Sequence, residues 1–219
     1  MTRLFRPILA GATLPDRLFA CLGALVGVAV TALLCAGASP SIAAAIVAPI
    51  GASAVLVFAV PASPLAQPWP VVGGNALSAL VGVVLAKLIG PTPLAAGLAV
   101  GAAMLAMSLA RCLHPPGGAA ALSAVIGGAA VEQAGWLFPL LPVAANSALL
   151  AAAGWLFHRW SGHSYPHRAP ATPPPAPLFL PQDLDRALEA EHETFDIARE
   201  DLERLLARVE AEAAARRAR

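Results

Sequence analysis

The residues best equipped for chemistry form one run, Arg111-Cys112-Leu113-His114-Pro115-Pro116-Gly117-Gly118, followed directly by small apolar residues. Two prolines suit the first positions of a helix, where their missing N–H groups cost nothing. The glycines after them would leave backbone N–H donors at the positive end of a helix, a way of holding an anion without a formal charge. His114 adds a titratable donor and Arg111 a cation. The alternative is a tight turn between helices with an interfacial histidine. A related element, Pro49-Ile50-Gly51-Ala52-Ser53, stands inside another apolar segment, where the proline would break the helix and Gly51 and Ser53 would line the break. A proline kink relieved by neighbouring helices is the competing reading. Ser63, Gln67, Asn75 and Ser78 are scattered around the start of a third segment, and Asn146 with Ser147 holds a comparable place in the last. Asn75, then Gln67, are the substrate contacts this scatter suggests; the others read as polar glue between helices.

The chain carries no Gly-x4-Gly-Lys-Ser/Thr loop, no HExxH and no Gly-x-Ser-x-Gly elbow. An ATP-driven pump and the common hydrolases are therefore not expected. Cys21, Cys35 and Cys112 are widely spaced among apolar residues, which suits neither a disulfide framework nor a zinc site. His158, His163 and His167 lack cysteine or carboxylate neighbours in sequence and read as interfacial. His114 has no evident nucleophile or acid beside it, so no enzyme, cofactor or metal is expected.

These residues must be positioned by helices in lipid. Of the 219 residues 58% are hydrophobic and 12% charged, and between residues 18 and 158 only Lys87, Arg111 and Glu132 carry charge. Such a stretch cannot present a soluble surface. Six apolar segments stand at about 18–38, 42–60, 71–90, 93–110, 116–131 and 136–158, the fifth short for a span of roughly 20 residues. Arg3 and Arg6 precede a first run that reads as a span rather than a cleaved leader. With six spans Arg3, Arg6, Arg17, Arg111, Arg159 and Arg168 would all be cytoplasmic, leaving Lys87 near the outer end of the third segment; four spans would also put both termini inside. Pro49 to Ala54 resembles Pro115 to Ala120, and Pro70 to Gly82 resembles Pro142 to Gly154. Two halves of three segments would be related by inversion, since three is odd; chance similarity in an Ala, Gly and Pro-rich chain is the alternative. Tyr165 to Pro181 is Pro-rich, and from Asp183 onwards the chain is charged. Leu188, Phe195, Leu202 and Val209 recur at seven-residue intervals there, with Leu184, Ala198 and Leu205 alongside. This reads as a cytosolic helix, coiled-coil-like or docked on a partner.

The residues at this point resemble a known family. The chain is similar to the HPP integral membrane proteins, named for the tripeptide at His114-Pro115-Pro116. The likeness extends through Pro49 to Phe58, Ser63 to Pro68, Gly73 to Gly82 and Tyr165-Pro166, over residues 15 to 168. It implies four spans and transport, with some plastid and cyanobacterial relatives linked to nitrite movement. Relatives often carry His where this chain has Asn75. Many bacterial ones continue into paired CBS modules, which are not expected here.

The sequence thus predicts an all-α, polytopic transmembrane helix bundle of four to six membrane segments plus a cytosolic C-terminal helix. Its expected parts are a cytosolic arm (1–17), an HPP-like transmembrane domain (18–160), a Pro-rich linker (161–182) and a charged helix (183–219). The expected function is a permease for a small inorganic anion such as nitrite in a bacterial inner membrane, both termini cytoplasmic. The lipid bilayer, the anion and a second copy held through the C-terminal helix are the expected partners, and nucleic acid is not. A non-transporting scaffold acting through helix packing and its tail is the alternative.

Overall fold

A computed structural model describes residues 14–38, 47–168, 179–191 and 195–217. The described residues are helical, with no strand among them, in the order α1 (Leu14–Ala38), α2 (Pro49–Ala59), α3 (Asn75–Ile89), α4 (Pro93–Leu109), α5 (Pro116–Ile126), α6 (Ala129–Ala134), α7 (Ala145–His158), α8 (Pro181–Glu191) and α9 (Arg199–Arg217). Most of the N-terminal arm and the middle of the Pro-rich linker lie outside the described residues.

Three apolar helical stretches are long enough to cross a membrane: Leu14–Cys35, Pro70–Ile89 and Pro139–His158. The second and third each begin on a proline and a wide, π-type turn, Pro70–Gly74 before α3 and Pro139–Ala144 before α7. α4, of 17 residues, packs along α3. Leu18, Leu25, Leu33, Leu94, Met104 and Leu109 project outward, as lipid-facing side chains must. Toward the bundle, α1 offers Gly23 and Gly27 to the rings of Phe58 and Phe157. α4 turns Ala95, Ala99 and Ala103, one per turn and fully buried, onto Ala121 and Val125 of α5. In lipid, apolar surface gains little by association, so small residues that allow close approach do the packing. Gly82 of α3 lies against the backbone of Ala121, where a Cβ would strike the carbonyl.

α2 and α5 are different. Each has 11 residues and opens on a proline, giving roughly 16 Å against a core of about 30 Å. Val57 near the end of α2 accepts a hydrogen bond from His158 at the end of α7. The start of α1, through Arg17, shares a groove with Phe58, Ala59 and His163. All of these mark one end of the bundle. α5 instead starts beside the Gly74 to Ser78 level of α3 and finishes beside Val83 and Lys87, at the opposite end. The two half-length helices therefore start inside the bundle and run to opposite ends, and each half-chain repeats long helix, half helix, Pro-opened long helix. Pro49 stands at the start of α2, and residues 39–46, which precede it in the expected segment, lie outside the described residues. Lys87 lies in the last turn of α3, its ammonium 5.4 Å from the centre of the Trp136 ring.

The C-terminal stretch forms two helices rather than one. Arg199 bonds Asp185 of α8, Glu203 one turn along α9 and the Pro181 carbonyl, tying the start of α9 to the start of α8. The Arg199 guanidinium, by its hydrogen bond, holds the Asp185 carboxyl below the usual carboxylate range. Phe195, Leu205 and Val209 are exposed, whereas Leu184 and Ala207 are buried. Along the seven-residue stripe Phe195 and Val209 are exposed and Leu188 and Leu202 half-buried, so the stripe is not a buried seam among the described residues.

Candidate functional site

Four segments bring polar side chains into the bundle. α2 supplies Ser53, the loop before α5 supplies His114, α3 supplies Asn75 and Ser78, and α7 supplies Asn146 and Ser147, each 0% exposed. His114 is the hub. Its Nδ1 lies 2.8 Å from the carbonyl oxygen of Leu65, and its Nε2 lies 2.8 Å from Ser53 Oγ. The Asn75 amide nitrogen donates to Ser53 Oγ and to Ser147 Oγ, both at 3.1 Å. On the flank, Cys35 Sγ of α1 donates to Asn146 Oδ1 at 2.6 Å. Asn75 Oδ1 and Ser78 Oγ are buried and have no hydrogen-bond partner among the described residues. Such orphans cost about 1–3 kcal/mol each and call for a reason.

Glycines make the cluster geometrically possible. A Cβ on Gly74 would fall 2.6 Å from the Cys112 carbonyl and 2.7 Å from His114 Cβ. A Cβ on Gly117 would fall 2.6 Å from Ser78 Oγ and 2.8 Å from Met107 Sδ. His114 can therefore lie directly on α3, and Ser78 can face α5.

The loop carrying Leu65 is held from its other side. Gln67 Nε2 donates to the carbonyls of Pro61 and Ser63, and its Oε1 accepts from the His167 amide. Tyr165 donates its buried hydroxyl to the Ala66 carbonyl at 2.9 Å, and burial pushes that phenol's pKa up. Ser63 donates to the Asp196 carboxylate just before α9, and His167 meets Asp201 at 2.7 Å.

The structure brings together His114, Ser53 and Asn75 of the sequence candidates, with Pro116 and Gly117 buried beside them. It places others elsewhere. Gly51 is exposed on the outer face of α2, with nothing among the described residues near its missing Cβ. Pro115 is exposed and Gly118 half-buried. Arg111 is exposed at the turn after α4, and Gln67 acts on the loop rather than in the cluster. The free amides expected at the two helix starts are already engaged: Gly117 N–H donates to the His114 carbonyl and Gly118 N–H to that of Pro115. Ile50 and Gly51 do the same to Val47 and Ala48. A tight turn precedes each helix and consumes its first donors, so side chains provide the polarity here. Ser78 and Ser147 read in sequence as packing residues, and the Leu65 carbonyl carries no sequence signal at all. The groove of about 500 Å³ between α1 and α2 is mostly apolar and does not reach the cluster. Among the described residues no group of His, Cys, Asp and Glu could hold a metal ion.

The family described as HPP, transmembrane region, matches residues 10–166. A transmembrane protein of Dictyostelium discoideum is 38% identical over 122 residues, 52% of this chain and 42% of the relative. A second from the same organism is 43% identical over 100 residues, 44% and 32% of the two chains. The matched stretch thus covers less than half of either relative. No solved structure matches.

Proposed function

We infer that this chain, which belongs to the HPP transmembrane family, is a multi-pass membrane permease for a small inorganic anion, with nitrite as the first candidate. One observation carries the reading. In a bundle with almost no charge, His114, Ser53, Asn75 and Ser147 from four segments form one buried hydrogen-bonded chain with two unsatisfied polar atoms beside it. Burying polar groups in lipid is costly, and such residues in membrane segments mark solute paths. The half-helices α2 and α5 support it further, since interrupted helices from two related halves are how many transporters build a central site. The bundle end with Arg17, Arg111, Arg159 and helices α8 and α9 is assigned to the cytoplasm by the positive-inside rule, in a bacterial inner membrane.

The test is flux of nitrite, nitrate, formate and chloride into proteoliposomes holding the purified chain, with His114→Ala and protein-free vesicles as controls. Selective flux lost with His114 is expected. Absence of flux for every solute would remove the permease reading.

A further inference from the structure

The directions of the hydrogen bonds in the buried cluster follow from one backbone group. The Leu65 carbonyl can only accept, so His114 Nδ1, 2.8 Å away, carries the hydrogen. In the neutral ring Nε2 is then a bare lone pair, and Ser53 must donate to it. With its hydrogen committed, the Ser53 oxygen can only accept from Asn75, which therefore turns its NH2 toward Ser53 and Ser147. Both amide hydrogens are consumed, and Asn75 Oδ1 is left pointing away, unpartnered. The fully buried Ser78, one turn further along α3, keeps an uncommitted hydroxyl. The tautomer and the amide orientation are thus assigned by the network rather than chosen.

What remains for a solute is one acceptor, Asn75 Oδ1, and the Ser78 hydroxyl, while Ser147, which accepts from Asn75, keeps a hydrogen of its own. A bare anion would set its lone pairs against Asn75 Oδ1, and two oxygens are too few to strip the water from a metal cation. A neutral oxyacid satisfies both atoms. We propose, building on the permease reading, that the site takes its solute as the protonated weak acid, the acid O–H donating to Asn75 Oδ1 and a second oxygen accepting from Ser78. The anion takes up one proton from water on one side, the neutral acid crosses, and the proton is released on the other, so one proton accompanies each anion and no net charge moves.

No other charge disturbs this assignment. From the elements packed around His114, α2 presents Ser53, α3 presents Gly74 and Asn75, and the chain leaving α4 presents Cys112. The nearest acids and phenol act one layer away, Tyr165 on the Ala66 carbonyl and Asp196 on Ser63. Among the described residues no cationic or acidic side chain bonds to His114, Asn75 or Ser78.

The full chain in proteoliposomes, loaded with a pH dye and clamped by potassium and valinomycin, separates the outcomes. Formate and nitrite are the weak-acid probes, nitrate and chloride the strong-acid ones, and methylammonium is the cationic control. Expected is formate and nitrite flux above protein-free vesicles that acidifies the lumen one for one and ignores the imposed potential. Nitrate and chloride are expected about tenfold slower or less, the discrimination worth one unmade hydrogen bond. Ser78→Ala removes a hydroxyl that bonds nothing among the described residues. It is expected to keep or raise the melting temperature while cutting formate flux by about tenfold. Flux that follows potential without acidification, flux of methylammonium instead of the acids, or an unimpaired Ser78→Ala each overturns the proton-linked site while leaving a permease. Silence toward every solute removes the permease reading as well.

Discussion

Two buried histidines in this molecule share one local arrangement and lead to different places. His114 sets Nδ1 on the Leu65 carbonyl and Nε2 on Ser53, while His158 sets Nε2 on the Val57 carbonyl and Nδ1 on Ser161. In both, a carbonyl fixes the tautomer and a serine occupies the other nitrogen. Beyond Ser53 lies Asn75 with its orphaned oxygen; beyond Ser161 lies the end of the bundle, where that serine is half-buried. The difference teaches that the histidine does not by itself mark a site. What its hydroxyl partner passes on, and whether the far end is left unsatisfied in the interior, does.

The comparison breaks most sharply under paired substitution. His114→Ala leaves Leu65 and Ser53 unpaired in the interior, at about 1–3 kcal/mol for each buried group, and is expected to reduce flux by tenfold or more, roughly the loss of one hydrogen bond. His158→Ala is expected to cost similar stability while flux per folded molecule stays within about twofold. Thermal unfolding in detergent beside flux in vesicles reads both; equal loss of flux from the two would remove the distinction.

The glycines sharpen it next. Gly82→Ala drives a Cβ into the Ala121 carbonyl and should cost about 1–3 kcal/mol by overpacking. Gly51→Ala meets nothing on the outer face of α2 and should gain up to about 1 kcal/mol of helix propensity with unchanged flux. Loss of transport in a stable Gly51→Ala protein would return the site to the helix start.

The loop bearing Leu65 is the next lever. Asp196→Ala frees Ser63, and a loss of about 0.5–1.5 kcal/mol is expected, with a modest fall in flux because the Leu65 carbonyl is less firmly placed. The smallest effect belongs to the α8–α9 pair. Because Arg199 depresses the Asp185 carboxyl, the link is intact above the ordinary carboxylate range and is lost as pH falls through the lowered value. Both side chains are exposed, so salt should weaken it too, seen as a longer distance between spin labels on α8 and α9.

Much of this was legible in the sequence. The apolar segments, the near absence of charge and the Pro and Gly punctuation gave the helical bundle, and the two Pro-Gly elements each open a short helix, α2 and α5. His114, Ser53 and Asn75 stood out as polar residues in apolar surroundings. Gly51 stood out for the wrong reason: it shares a motif with Ser53 but, two residues away on a helix, faces lipid rather than the bundle. Periodicity does not show that Arg199 reaches back to Asp185.

The sequence by itself determined that this chain lives in a membrane, where it is interrupted, and which polar groups are carried inside, because each of these depends on side-chain type at short range. Only the tertiary structure decided what those groups do there. Leu65 reaches His114 across 49 residues through a carbonyl that every residue possesses, and that contact orients Ser53 and Asn75 in turn. A hydrogen-bond direction belongs to a pair of atoms, so it exists only once the fold has chosen the partner.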